Sequence, residues 1–203
     1  MRWPWKRKPS VILEVDPPHL NIFLSYRRDD ASTYAARLYD SLSDRFGQKR
    51  VFMDIDSLEI GKDYAVAIKE TVARCDVLLA LIGLYWLTAA DDEGNRRLEN
   101  PEDLVRLEVE SALARNVRVV PVLVDDARMP KGEQLPGELV GLIRRTGIKL
   151  ASGRGAADSW AADVSALIER LDRVAIEIGS ERYLENLERE QRVTKRPKPA
   201  RWE

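Results

Sequence analysis

Short apolar runs alternate along this chain with stretches whose hydrophobic residues recur at helical spacing, a pattern that predicts βα units around a parallel sheet. The runs cover residues 21–25, 50–53, 77–82, 117–124 and 147–150. Between the first two, Tyr34, Leu38, Leu42 and Phe46 recur every four residues, and Tyr64, Ile68 and Val72 do the same after the second. Each set predicts a helix face packed on the sheet. Five strands and five helices in this order predict an α/β, flavodoxin-like fold, a five-stranded parallel sheet with helices on both faces.

The connection after the third run, residues 83–101, is long and polar and begins with Tyr85-Trp86 close behind the strand. Connections of that length in compact domains are usually functional or mobile. The last helix is predicted to start near Trp160, with apolar spacing through Val164, Leu167, Ile168, Leu171 and Val174. Beyond Gly179, residues 181–192 are charged, with Tyr183, Leu184 and Leu187 to one side, and are expected to form a helix that contacts a partner chain. Residues 195–201 are rich in Pro and Lys and read as a disordered tail. The expected organisation is a basic leader over 1–19, one domain over 20–176 and an extension over 177–203.

Charge and composition narrow the function classes. Lys plus Arg is 33 and Asp plus Glu is 34, so a net charge of −1 gives no global pull toward nucleic acid or an anionic membrane. The single cysteine, Cys75, excludes an internal disulfide and a multi-cysteine metal site, and reads as a small buried filler. One histidine, His19, leaves His-based triads and His-cluster metal sites without their parts. The leader is basic and carries Trp3 and Trp5, but Glu14 cuts short Val11-Ile12-Leu13, so no signal peptide or membrane span is expected and a cytoplasmic location is. A solvated leader and a membrane-surface contact are both compatible with so short a segment.

Candidate chemistry begins directly after the first strand, where Ser25-Tyr26-Arg27-Arg28-Asp29-Asp30 plants two guanidiniums at the strand's carboxyl end. Ligands of open α/β sheets collect there, and an Arg pair suits phosphate or carboxylate groups. A second feature is a carboxylate in the wrong place. Winding residues 104–115 at about 100° per residue puts Glu108 inside the apolar arc with Leu104, Ala112, Val105, Val109 and Leu113. Glu110, two positions on, points the other way with Arg106. A covered carboxylate loses hydration at a cost of several kcal/mol unless something pairs with it, so Glu108 is either half of a structural ion pair or a functional group.

Between the second strand and its helix, residues 54–63 form an acidic loop with Asp54, Asp56, Glu59, Gly61 and Lys62, ending at Asp63, a candidate helix cap. Asp54 and Glu59 can share a rim with Arg27, Arg28 and Glu108. The loop could instead be a plain solvated surface, with Asp63 capping the next helix. Asp54-Ile55-Asp56 also matches the Asp-x-Asp of magnesium-dependent phosphoryl transfer, though those enzymes carry it after the first strand rather than the second.

Three motifs occur in order: Ile22-Phe23-Leu24-Ser25-Tyr26-Arg27-Arg28, then Val51-Phe52-Met53-Asp54 with Leu58-Glu59-Ile60-Gly61-Lys62, then Asp103-Leu104-Val105-Arg106-Leu107-Glu108 leading into Val119-Val120-Pro121-Val122-Leu123. Over roughly residues 20–175 they resemble the Toll/interleukin receptor (TIR) domain in its bacterial form. The resemblance implies the TIR version of the five-stranded fold and, for many bacterial and some animal and plant members, cleavage of NAD+ between nicotinamide and ribose. It places the family's catalytic glutamate on Glu108, its flexible loop on residues 54–62, and its first box on Tyr26, Arg27 and Arg28. Where the family's enzymes often carry Trp four residues before the glutamate, this chain has Leu104, at a position that contacts the ribose. Receptor and adaptor members commonly lack the glutamate, so its presence favours an enzyme.

NAD+ is then the substrate, with no cofactor or metal expected, and Tyr26, Arg27, Arg28, Asp54, Glu59, Gly61, Lys62, Leu104 and Trp86 are its candidate contacts around Glu108. Trp86 and Tyr85 either stack on a ring of the dinucleotide or pack in the rim. Arg27 and Arg28 either meet the pyrophosphate or pair with the acidic loop. Self-association is expected to order the loop over the site, and the family suggests a role in bacterial antiphage defence or NAD-derived signalling. Two other readings are a non-catalytic TIR interaction module, favoured by Leu104 and the charged extension, and a nucleoside deoxyribosyltransferase-like enzyme, which shares a related fold and a catalytic glutamate.

Overall fold

The fold was analysed in a computed structural model that describes residues 19–53, 63–151 and 157–194. Five strands, β1 (Ile22–Ser25), β2 (Val51–Met53), β3 (Val77–Ile82), β4 (Arg118–Leu123) and β5 (Ile148–Lys149), form one parallel sheet in the order β2-β1-β3-β4-β5. All five coincide with the predicted apolar runs. β3 is buried at every position and β1 likewise, as strands covered on both faces must be.

The strand alternation sorts the core into two layers. Ile22, Leu24, Leu79 and Val122 face α1 (Arg28–Phe46) and α4 (Ala157–Thr194), with Leu38, Leu42, Phe46, Trp160 and Leu171 completing that layer. Phe23, Leu78, Ala80 and Val119 face the other way, toward α2 (Tyr64–Ala73) and α3 (Leu104–Ala114), and pack with Ile68, Val72, Val105, Val109 and Trp86. Helices therefore cover both faces, in the predicted layer order.

Two elements differ from the prediction. Four α-helices occur among the described residues, because the link from β4 to β5 folds as a 3₁₀ helix, Gly137–Arg144, rather than as a fifth α-helix. Its Leu139 and Leu142 still enter the α3 layer. The second difference is α4, which runs unbroken through Gly179 to Thr194, since the stretch on both sides of that glycine is rich in helix formers and one glycine costs only about 1 kcal/mol. Among its residues whose burial is described, the last buried one is Ala175, while Ile176 and Leu184 are exposed. The leader, the loop at 54–62 and the tail from residue 195 lie outside the described residues. No helix among the described residues is long and apolar enough to cross a membrane.

Candidate functional site

The strand order reverses between β1 and β3, so the switch point of this sheet lies where residues 26–30 and 83–86 leave it. Those two segments are bound to each other. Asp30 Oδ1 accepts the Tyr85 N–H at 2.9 Å, and Arg27 Nε donates to the Trp86 carbonyl at 3.1 Å. Gly83 is required by this closeness: a Cβ there would stand 2.5 Å from Asp30 Oδ2.

Arg27 goes further. Its Nη1 and Nη2 form a bidentate pair with Asp103 at 3.0 and 3.1 Å, and the whole residue is 3% exposed. Asp103 is the N-cap of α3, where it also accepts the Arg106 N–H at 3.0 Å, and Arg97 Nε approaches it at 3.3 Å. A buried carboxylate at a helix N-terminus is satisfied here from every side. Arg27 is accordingly committed within the protein, and the expectation that it meets a phosphate gives way to a positioning role: it fixes the start of α3 to the end of β1. Sequence reading used Asp103 only as part of a motif. An Asp directly before a helical apolar pattern is a cap signal, but its arginine partner, 76 residues away, is visible only in three dimensions.

Glu108 follows one turn into α3, on the side that packs against the sheet, and is 7% exposed. Its neighbours on that face, Val105 and Val109, sit in the layer with Phe23, Ile68 and Trp86. The helical arc predicted from periodicity is thus the buried one, with Leu104 at its edge and 41% exposed. The opposite face is not solvent, however. Arg106 is also buried, because the turn Arg97–Glu99 and the 3₁₀ helix cover it: the guanidinium donates to the carbonyls of Leu98 and Glu99 at 3.2 and 2.9 Å and to Glu138 at 3.2 Å. Glu110 completes that side, 3.8 Å from Arg106.

The remaining candidates divide cleanly. Tyr26 is half-buried beneath α1, and Arg28 is exposed as the first residue of that helix. Trp86 is 0% exposed and packs with Phe23, Val105 and Val109, as the packing alternative has it; Tyr85 beside it is 63% exposed. Asp54, Glu59, Gly61 and Lys62 lie outside the described residues, as does Asp56. The chain re-enters at Asp63, which caps α2 by accepting the Ala65 N–H at 2.8 Å. Asp63, Tyr64, Pro101, Glu102 and Leu107 line a cavity of about 370 Å³ between the first turns of α2 and α3.

Comparison with known proteins decides the family. The family model described as TIR domain matches residues 22–168, most of the chain. This chain belongs to the TIR family. Among solved structures, the TIR domains in the structure titled as the activated Roq1 resistosome directly recognising the pathogen effector XopQ are similar to it, with a TM-score of 0.53 and 16% identity, over 75% of this chain and 99% of that one. At that identity the likeness speaks for the TIR fold alone. No curated protein matches the sequence. The TIR family includes NAD-cleaving enzymes.

Proposed function

We propose that this TIR domain cleaves NAD+ between nicotinamide and ribose, with Glu108 as the catalytic carboxylate. The observation that carries the reading is a glutamate 7% exposed on the covered face of α3, level with the carboxyl ends of the strands where the fold gathers ligands. Burial of a carboxylate costs stability, and a site that stabilises positive charge is a reason to retain one.

The chemistry asks little more of the protein. Nicotinamide leaves NAD+ as a neutral amide, so the general acid of an ordinary glycosidase is dispensable. As the C–N bond breaks, positive charge grows on the ribose ring, and a fixed carboxylate in a water-poor site stabilises it. Glu108 would also accept a hydrogen bond from a ribose hydroxyl, which orients the sugar. The Arg27–Asp103 bridge keeps α3, and with it Glu108, at a constant height above β1. Water then yields ADP-ribose, or an internal nucleophile yields a cyclic product.

Assembly belongs to the same proposal. The similar TIR domains come from a resistosome, and self-association of this chain would bring the loop at 54–62 and exposed residues such as Arg28 and Tyr85 to a shared substrate site. A role in antiphage defence or NAD-derived signalling follows from NAD+ consumption. The interaction-module reading has one observation in its favour, the exposed Leu104 where the family's enzymes often carry Trp.

One assay separates them. Purified chain is incubated with NAD+ and the products are resolved chromatographically, for the wild type and for Glu108→Gln. Nicotinamide release that falls by about 10²-fold or more in the variant supports the enzyme. Equal rates in the two, or none in either, leave the interaction module.

A further inference from the structure

Ser25 is the last residue of β1, 1% exposed, and its hydroxyl has no hydrogen-bond partner among the described residues. The other three residues of that strand are Ile, Phe and Leu. A buried hydroxyl left unpaired destabilises a fold, where alanine would not. Trp86 Nε1, also fully buried, is a second such orphan.

Both orphans lie on the face that holds Glu108. Ser25 comes two residues after Phe23, so its side chain emerges on the same side of the sheet, in the layer that contains Trp86, Val105 and Val109. The Arg27–Asp103 bridge sets the register between strand and helix. From it, two residues down β1 at about 3.3 Å each reach Ser25, and five residues down α3 at about 1.5 Å each reach Glu108. Both therefore stand about 7 Å below the bridge, in the layer between α3 and the sheet.

We propose that Ser25 is a second substrate contact, a hydroxyl that binds the ribose of NAD+ beside Glu108; this rests on the NAD+ reading above. The chemistry is complementary. A carboxylate only accepts, whereas a serine hydroxyl donates and accepts, as each ribose hydroxyl does. With Glu108 accepting from one sugar hydroxyl, Ser25 pairs with its neighbour. A site built this way rejects a sugar that lacks the paired hydroxyl, because the serine is then left unsatisfied.

The test compares wild type and Ser25→Ala on NAD+, 2′-deoxy-NAD+ and 3′-deoxy-NAD+, with thermal melting of both proteins. Ser25→Ala is expected to lower kcat/KM for NAD+ by about 10-fold or more, to leave the rate on one deoxy analogue unchanged, and to melt no lower than the wild type. An equal loss on all three substrates, or a lower melting temperature that accounts for the loss, makes Ser25 structural and overturns the proposal. No loss on any substrate means the hydroxyl holds a buried water only, and overturns it too. A wild type that does not release nicotinamide from NAD+ fails the earlier reading and removes this one with it, a result distinct from an active wild type that is indifferent to Ser25.

Discussion

The environment of Cys75 alters the chemistry of its thiol. Burial, with the charge of Asp76 next in the chain adding to it, pushes the thiol from its ordinary 9.0 up to about 12, and its Sγ donates to the Thr71 carbonyl at 3.2 Å. It is therefore a protonated core atom at neutral pH. In the unfolded chain the thiol ionises near its ordinary value while the folded protein keeps the proton, so the folded state binds the extra proton between 9.0 and about 12. Stability must fall as pH rises through that window, by about 1.4 kcal/mol per unit. Urea denaturation of wild type and Cys75→Ala across that range should show this slope in the difference between them; parallel pH profiles would contradict it. Glu177 illustrates the opposite direction on the surface, its pKa lowered by the hydrogen bond from Arg118 at 2.9 Å.

Between elements, the connection that matters most is the one from β1 to α3. Arg27 and Asp103 are buried together, and Asp103 also caps the helix that carries Glu108. Removing one partner leaves a buried charge uncompensated, which costs roughly 3–5 kcal/mol, whereas replacing both with apolar residues of similar volume costs far less. Asp103→Ala should thus lower the unfolding free energy measured by urea denaturation by that amount, and the double variant Arg27→Met with Asp103→Ala should recover part of it. A single-variant loss under about 1 kcal/mol, the worth of an exposed pair, would show that the bridge does not hold the elements together. The same contact explains why a helix that begins with an exposed leucine starts at a defined place.

For the whole molecule, α4 raises the question of where the folded unit ends. Among the described residues the core contribution of that helix ends at Ala175, with Ile178 packed at the margin. Past it, the described contact back to the domain is the ion pair of Arg182 with Asp76, whose other oxygen accepts the Asn21 N–H at 2.8 Å. Arg182 is exposed and Asp76 keeps its bond to Asn21, so losing the pair costs about 1 kcal/mol, and a chain ending at Ile178 should melt within a few degrees of the full chain by circular dichroism. Loss of cooperative melting would mean that the distal half of α4 belongs to the core. The exposed Ile176 and Leu184 on that helix contribute little to such a melt.

The sequence by itself determined the five strands, their parallel arrangement in two covered layers, and the inward turn of Glu108. These follow from period alone: alternating and four-residue spacing are local properties of the backbone, and burial of one face obeys them. It also carried the TIR motifs that the family match bears out. Only the tertiary structure decided that Arg27 serves Asp103 rather than a ligand, that Trp86 packs in the core, and that Arg106 is buried on the side of α3 that periodicity assigned to solvent. Each of those depends on a partner far along the chain, and a charge or ring carries no mark in the sequence of what will be folded against it. The same holds for Ser25, an ordinary strand residue in the sequence whose hydroxyl the fold buries without a hydrogen-bond partner among the described residues.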